Sequence, residues 1–286
     1  TDIHLDQSGT WQVGSFTRQS IRNLYGHGTV LNDGSITINP QEVNNEFLGE
    51  IRGQGRLYKE GANEFVLYEP LQQDMVRIDK GTIRLTSGAF LWDGGSLGTS
   101  DLVISPDGRL VVEGDAATVG TISATSSSLN KMIDLSRTTS SLTVKGNSTF
   151  SGRISGSGSL VVDADLTLTG KNTYSGNTNI KSGATLRLKG EGVLGAAAIS
   201  NSTYGVYVGD IDIDGTLIVN SSRNQRFNGL MRGGGTITKA GSTIMRITDA
   251  SGFDSNITVA DGTLLTLAND ALSSSATVAL NGDAEL

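Results

Sequence analysis

Phe150-Ser151-Gly152-Arg153-Ile154-Ser155-Gly156-Ser157-Gly158-Ser159-Leu160 is the stretch whose reading decides the fold of this chain. Apolar and small residues alternate along it, and glycine falls at fixed intervals. The same spacing occurs as Phe47-x-Gly49-x-Ile51-x-Gly53-x-Gly55-x-Leu57 and again as Phe227-x-Gly229-x-Met231-x-Gly233-x-Gly235-x-Ile237. Composition alone does not produce copies with identical internal spacing. A recurring unit of this kind marks a solenoid, in which each unit buries its apolar face only against its neighbours. Period-two alternation turns every second side chain inward. Leu, Ile, Val and Phe therefore fill the interior and small polar residues face water. Glycines are expected where the chain turns a corner with positive φ, or where backbones approach closely.

Working outward, each opening continues into a longer module. After Leu160 come Leu166-x-Leu168, Tyr174, Ile180, Gly183 and Leu186-x-Leu188. After Ile237 come Ile244, Ile247, Phe253, Val259, Gly262, Leu264 and Leu267. After Leu57 come Phe65-x-Leu67, Ile78, Gly81 and Ile83-x-Leu85, and the modules close at Gly108-x-Leu110, Gly215-x-Leu217 and Gly282. The modules are assigned to 47–112, 150–219 and 227–286, each long enough for several turns of a solenoid. Residues 1–46 read as a degenerate copy, in which Phe16, Ile21, Leu24, Gly26-x-Gly28-x-Val30 and Gly34-x-Ile36-x-Ile38 follow the same grammar. Residues 113–149 form a Ser/Thr-rich insert, either extra coils or a protruding loop. The expected fold is all-β: one right-handed parallel β-helix over 1–286, an elongated rod. At about 20–25 residues per coil it has on the order of 12–14 coils and a length of roughly 60 Å.

Composition agrees. Glycine is 38 of 286 residues, roughly twice the usual share of about 7%. There are 3 prolines, which excludes collagen and proline-rich linkers. No cysteine is present, so disulfides, thiolate metal sites and a Cys nucleophile are excluded. That absence fits a cytosolic protein, and equally one threaded through a narrow export pore. The net charge of −7, from 22 Lys+Arg and 29 Asp+Glu, disfavours nucleic acid and anionic membrane as partners. No apolar run of about 20 residues exists for a transmembrane helix. Thr1-Asp2-Ile3-His4 has no basic region leading into an apolar one, so no signal peptide is read there. The expectation is a fragment of a longer solenoid.

Gly170-Lys171-Asn172-Thr173-Tyr174-Ser175-Gly176-Asn177-Thr178-Asn179-Ile180, followed by Gly183 and Leu186, resembles the β-strand repeat of autotransporter passenger domains. These are the exported part of Gram-negative type V secretion proteins, and the likeness is to the AIDA-like adhesin type. Ala184 is one residue more than the family pattern has. The family's preceding Gly-x-Gly-x-Leu-x-Lys-x-Gly element is matched at Gly53 to Gly61 and at Gly233 to Gly241; in the middle module Val162 and Ala164 stand in for the Lys and the last Gly. The resemblance covers about two-thirds of the chain and speaks to fold more than to function. It implies a β-helical rod at the cell surface or released from it, exported through a C-terminal outer-membrane β-barrel not in these residues. It implies adhesion, self-association and biofilm formation, with partners on neighbouring cells or among host glycans and proteins. The alternatives are a stem displaying an upstream protease or lipase, and a carbohydrate-active β-helix.

The search for chemistry returns no catalytic, cofactor or metal residues. Tyr25-Gly26-His27-Gly28-Thr29 and Gly98-Thr99-Ser100 resemble subtilase motifs, but His27 lies inside the structural repeat and Asp101-Leu102 follows Ser100. Asp210-Ile211-Asp212-Ile213-Asp214-Gly215 opens like a calcium loop, yet its twelfth position is Ser221; it reads as a strand with a wet face. Glu42, Glu46, Glu50, Glu60, Glu64, Glu69, Asp74 and Asp79 read as a solvated acidic face. Trp92, Tyr204 and Tyr207 are candidates for exposed sugar-stacking aromatics and Trp11 for a cap on the first coil, with ordinary coil packing the favoured reading of each, since aromatics dominate buried area. Arg223, Arg226 and Arg232 offer an outward ladder for an acidic partner, with an ordinary solvated face the favoured reading.

Overall fold

The computed structural model describes residues 1–86, 100–126, 131–197 and 204–286. Among them there is no helix, and the strands form a β-solenoid of about 13 turns. Each full turn visits three faces. The first begins with Ile3–Leu5, the second with Thr10–Val13 and the third with Arg18–Ile21. Coils stack in register: Thr216, Thr236, Asn256 and Thr277 lie over one another on the third face, one turn every 20 or 21 residues. Strand pairing is parallel except where Ala196–Ala197 runs antiparallel to Tyr204–Tyr207. Three coils are longer: Met75 pairs with Asp101, Ala116 with Ser141 and Thr185 with Thr216. Each span contains residues outside the described set: 87–99, 127–130 and 198–203.

Parity along each strand builds one continuous core. Ile36, Leu57, Val76, Leu102 and Ile122 form one inward stack on the third face, all buried. The nine apolar positions of the three glycine-spaced openings are buried as well: Phe47, Ile51, Leu57, Phe150, Ile154, Leu160, Phe227, Met231 and Ile237. Gly53, Gly156 and Gly233 have φ of 125°, 103° and 113°, and so does the matching Gly26 at 97°. At Gly156 an added Cβ would also run into the Leu135 carbonyl of the coil beneath. Glycine is therefore required twice there, by dihedral and by space.

The copies share local geometry but not a common face. Phe47 and Phe227 end first-face strands, Asn44–Phe47 and the first part of Asn224–Gly233, whereas Phe150 ends the third-face strand Ser148–Phe150. The middle module is thus rotated by one face. The sequence unit specifies three short strands and the two corners between them; the number of corners between copies decides which face it opens on. Of the two readings of residues 113–149, the described residues take that of extra coils. They supply Ala116–Val119, Ile122–Ala124, Lys131–Leu135 and Ser141–Val144, all paired with neighbouring coils.

Buried polar side chains substitute for missing backbone pairs at corners. Asn45 accepts from the Leu24 amide at 2.9 Å and donates to the Leu24 carbonyl at 3.0 Å. Gln225 treats Leu194 the same way, at 2.9 and 3.1 Å. Lys59 and Lys239 are fully buried. Lys59 sits between Ile38 and Ile78 in an inward stack, and Lys239 between Val219 and Val259. The Lys59 ammonium donates to the carbonyls of Glu60, Gly61 and Lys80 at 2.8, 2.9 and 3.0 Å. Lys239 donates to those of Ala240, Gly241 and Asp261. Gly61 and Gly241 lie at φ 73° and 76°, so the two corners share a backbone turn with the same left-handed glycine. Three donors meet three acceptors, which is how a buried ammonium is tolerated.

Candidate functional site

An open groove of about 980 Å³ lies at the corner between the second and third faces, near the first coils. Register builds it. Arg18, Ser35, Arg56, Met75 and Asp101 are the stacked first residues of five successive third-face strands. Asp33, Gln54 and Asp74 line the corner beside them. Gly34 and Gly55 let the coils close-pack beneath: a Cβ on Gly34 would meet the Gly14 and Thr17 carbonyls, and one on Gly55 the Gly34 carbonyl.

At the rim stands the turn Gly14-Ser15-Phe16-Thr17. The Thr17 amide donates to the Gly14 carbonyl at 3.1 Å, and the Thr17 hydroxyl to the same oxygen at 2.6 Å. Phe16 occupies the third position of this turn with φ 64°, a conformation that favours Gly or Asn. Its side chain is fully exposed. The sequence grammar that placed Phe16 among inward residues is corrected here: counted from Gly26, the position matching Phe47 is Ser20.

The groove's charges are mixed. Asp74 is held above the usual carboxylate range by lost hydration; Arg56 opposes this, while Asp101 and Asp33 add to it. Asp33 accepts from the Gln54 amide at 3.2 Å, and Asp101 from the Thr121 hydroxyl at 2.6 Å. Sequence reading placed Asp74 in a run of acidic residues and did not single out Asp33, Arg56 or Asp101. No linear signal connects them, since only the stacking of coils brings them together.

A smaller recess of about 450 Å³ on the first face is lined by His4, Tyr25, His27, Asn44, Glu46 and Leu48. The His4 and Tyr25 rings lie 6.4 Å apart. The Tyr25 hydroxyl is pushed up to about 12, first by lost hydration and then by its hydrogen bond to Glu42.

The other candidates fall as follows. His27 sits exposed at the corner between Leu24–Gly26 and Thr29–Asn32. Ser100 is buried several coils away, donating to the Gln73 carbonyl, so the two form no catalytic pair. Gly98 and Thr99 lie outside the described residues, as does Trp92. Asp212 projects from a strand whose Ile211 and Ile213 are buried and pairs with Arg232. Among the described residues no three His, Asp or Glu side chains gather as a metal site. The three arginines make no ladder: Arg223 pairs with Glu191, Arg226 donates to Asn228 at 2.7 Å, and Arg232 belongs to a different face. Of the acidic run, Glu64 is taken by Arg84, which also pairs with Glu113 one coil further on.

Tyr207 takes the ordinary coil-packing reading, not that of an exposed sugar-stacking aromatic. It is fully buried, edge-on to Tyr174 at 5.4 Å. The Thr178 hydroxyl bridges the two phenols at 2.7 Å each, and Tyr207 donates onward to the Gly176 carbonyl. Burial raises both phenols above their ordinary range. The side chain of Tyr204 lies outside the described set. Trp11 is half-buried on the first coil, packed against the core.

Comparison with family models, with curated proteins and with solved structures finds no match.

Proposed function

We propose that this chain is a non-enzymatic adhesive rod, a passenger segment of an autotransporter displayed on or released from a Gram-negative cell, acting in self-association, aggregation and biofilm formation. The observation that carries this reading is the stack of about 13 turns with polar residues repeating in register on its outside. On the third face, Thr216 and Ile218, Thr236 and Thr238, Asn256 and Thr258, and Thr277 and Ala279 form rows without a charged side chain. Rungs about 4.8 Å apart give two such rods a long matched surface. Many weak contacts then add through multiplicity rather than through one strong site. The translocating β-barrel follows from the same family reading, as do partners on neighbouring cells or host surfaces.

Sedimentation velocity over a wide concentration range tests this. Rods that form dimers as concentration rises support adhesion by self-association. A rod that stays monomeric, and binds neither cells nor matrix, refutes it and favours the stem, in which these coils only display another domain.

A further inference from the structure

We propose that the groove between the second and third faces is a binding site for a neutral oligosaccharide, with Phe16 as its stacking platform. This goes beyond self-association and does not depend on it.

Three observations converge. The first is spacing. Arg18, Arg56 and Asp101 stand in one line along the rod axis, with Asp33 and Asp74 beside them at the corner. Five rungs at the strand spacing span roughly 19 Å. That suits a short extended chain of pyranose rings and exceeds what a single small metabolite needs. The second is chemistry. Carboxylates accept from pairs of hydroxyls and guanidinium groups donate to them, so both halves of hydroxyl recognition are present. Three carboxylates beside two guanidinium groups leave little net charge, which fits neither a polyanion nor a polycation. A peptide would look for apolar anchor pockets, and the lining has few apolar side chains beyond Phe16 and Met75.

The third observation is the strain at Phe16. An exposed phenylalanine with φ 64° gains nothing from the core and loses backbone energy that glycine would not. Such outliers persist where function requires the side chain. An exposed aromatic ring at the rim of a hydroxyl-binding groove offers a flat apolar face to the C–H face of a sugar ring, while Asp74 and Arg56 engage its hydroxyls.

Isothermal titration of the purified chain with neutral four- to six-residue oligosaccharides (β-1,4-glucan, β-1,3-glucan, α-1,4-glucan and mannan) tests the site. The expected result is saturable binding of at least one of them. Phe16→Gly and Asp74→Asn each weaken that binding by about tenfold or more, and Phe16→Trp retains it. Phe16→Gly melts no lower than the parent, so its loss of binding is not a folding defect. It also sediments like the parent, which separates failure of this site from failure of the adhesive-rod reading. No binding at millimolar sugar overturns the proposal. So does binding that Phe16→Gly and Asp74→Asn leave unchanged, or preferential binding of a sulfated or uronate polymer that salt abolishes.

Discussion

Replacing Lys59 by methionine tests the least obvious feature of the core. Methionine keeps the length of the side chain and its apolar stem between Ile38 and Ile78, and removes only the ammonium. The carbonyls of Glu60, Gly61 and Lys80 then lose their shared donor. At about 1 kcal/mol for each buried acceptor left unpaired, the variant is expected to lose about 3 kcal/mol at pH 7. The dependence on pH has a definite sign. Burial pulls Lys59 from 10.5 to about 8, with Glu64 pulling the other way. Between those values the unfolded chain holds a proton that the folded chain has released. Wild-type stability therefore rises with pH across this window relative to the methionine variant, by about 3 kcal/mol in all, and the contribution is lost as pH falls through 8. Urea unfolding of both proteins between pH 7 and pH 10 reads the difference, and equal slopes confirm that the same surface unfolds in each. Equal midpoints at pH 7 would refute the role of the three carbonyls. A gap that narrows above pH 8 would show that the cage holds the proton more tightly than burial expels it.

Two further substitutions probe the same logic elsewhere. Val162→Lys restores the residue found at this position in the other two modules, but Ala164 does not supply the left-handed glycine of Gly61 and Gly241; the buried charge finds no cage, and urea unfolding should show a loss of about 3 kcal/mol or more. Thr178→Val preserves shape but removes the hydroxyl that joins Tyr174 to Tyr207; a loss of about 2 kcal/mol is expected in the same assay, and a variant as stable as the parent would mean the phenols satisfy each other without it.

What the sequence made legible is what the period of two and the glycine spacing control. Alternation identified the inward residues of all three openings, and the spacing identified Gly53, Gly156 and Gly233 as positions of unusual backbone. The rotation of the middle module was not legible. Each copy encodes three short strands and the two corners between them, and nothing within it records how many corners separate it from the next. The groove was hidden for a related reason. Arg18, Arg56 and Asp101 share a line only because their coils stack, and coil lengths among the described residues range from 17 residues between Arg18 and Ser35 to 33 between Thr178 and Ile211. A periodic search at one length passes over them.

The buried lysines show how two sequence signals compete and which one wins. By polarity Lys59 and Lys239 belong in water. By parity they point inward, two residues after Leu57 and Ile237. In a stacked solenoid, parity has the stronger claim. Turning one side chain outward means slipping the strand by one residue, which would expose every other inward residue on it. A polar residue at an inward position is therefore cheaper to satisfy than to evert, provided the adjoining corner can offer acceptors. Gly61 and Gly241 lie two residues further on, in the left-handed region at both corners. The pairing of an inward lysine with a following glycine is thus a single structural unit, and it explains why the module that has lost its glycine at 164 carries valine at 162.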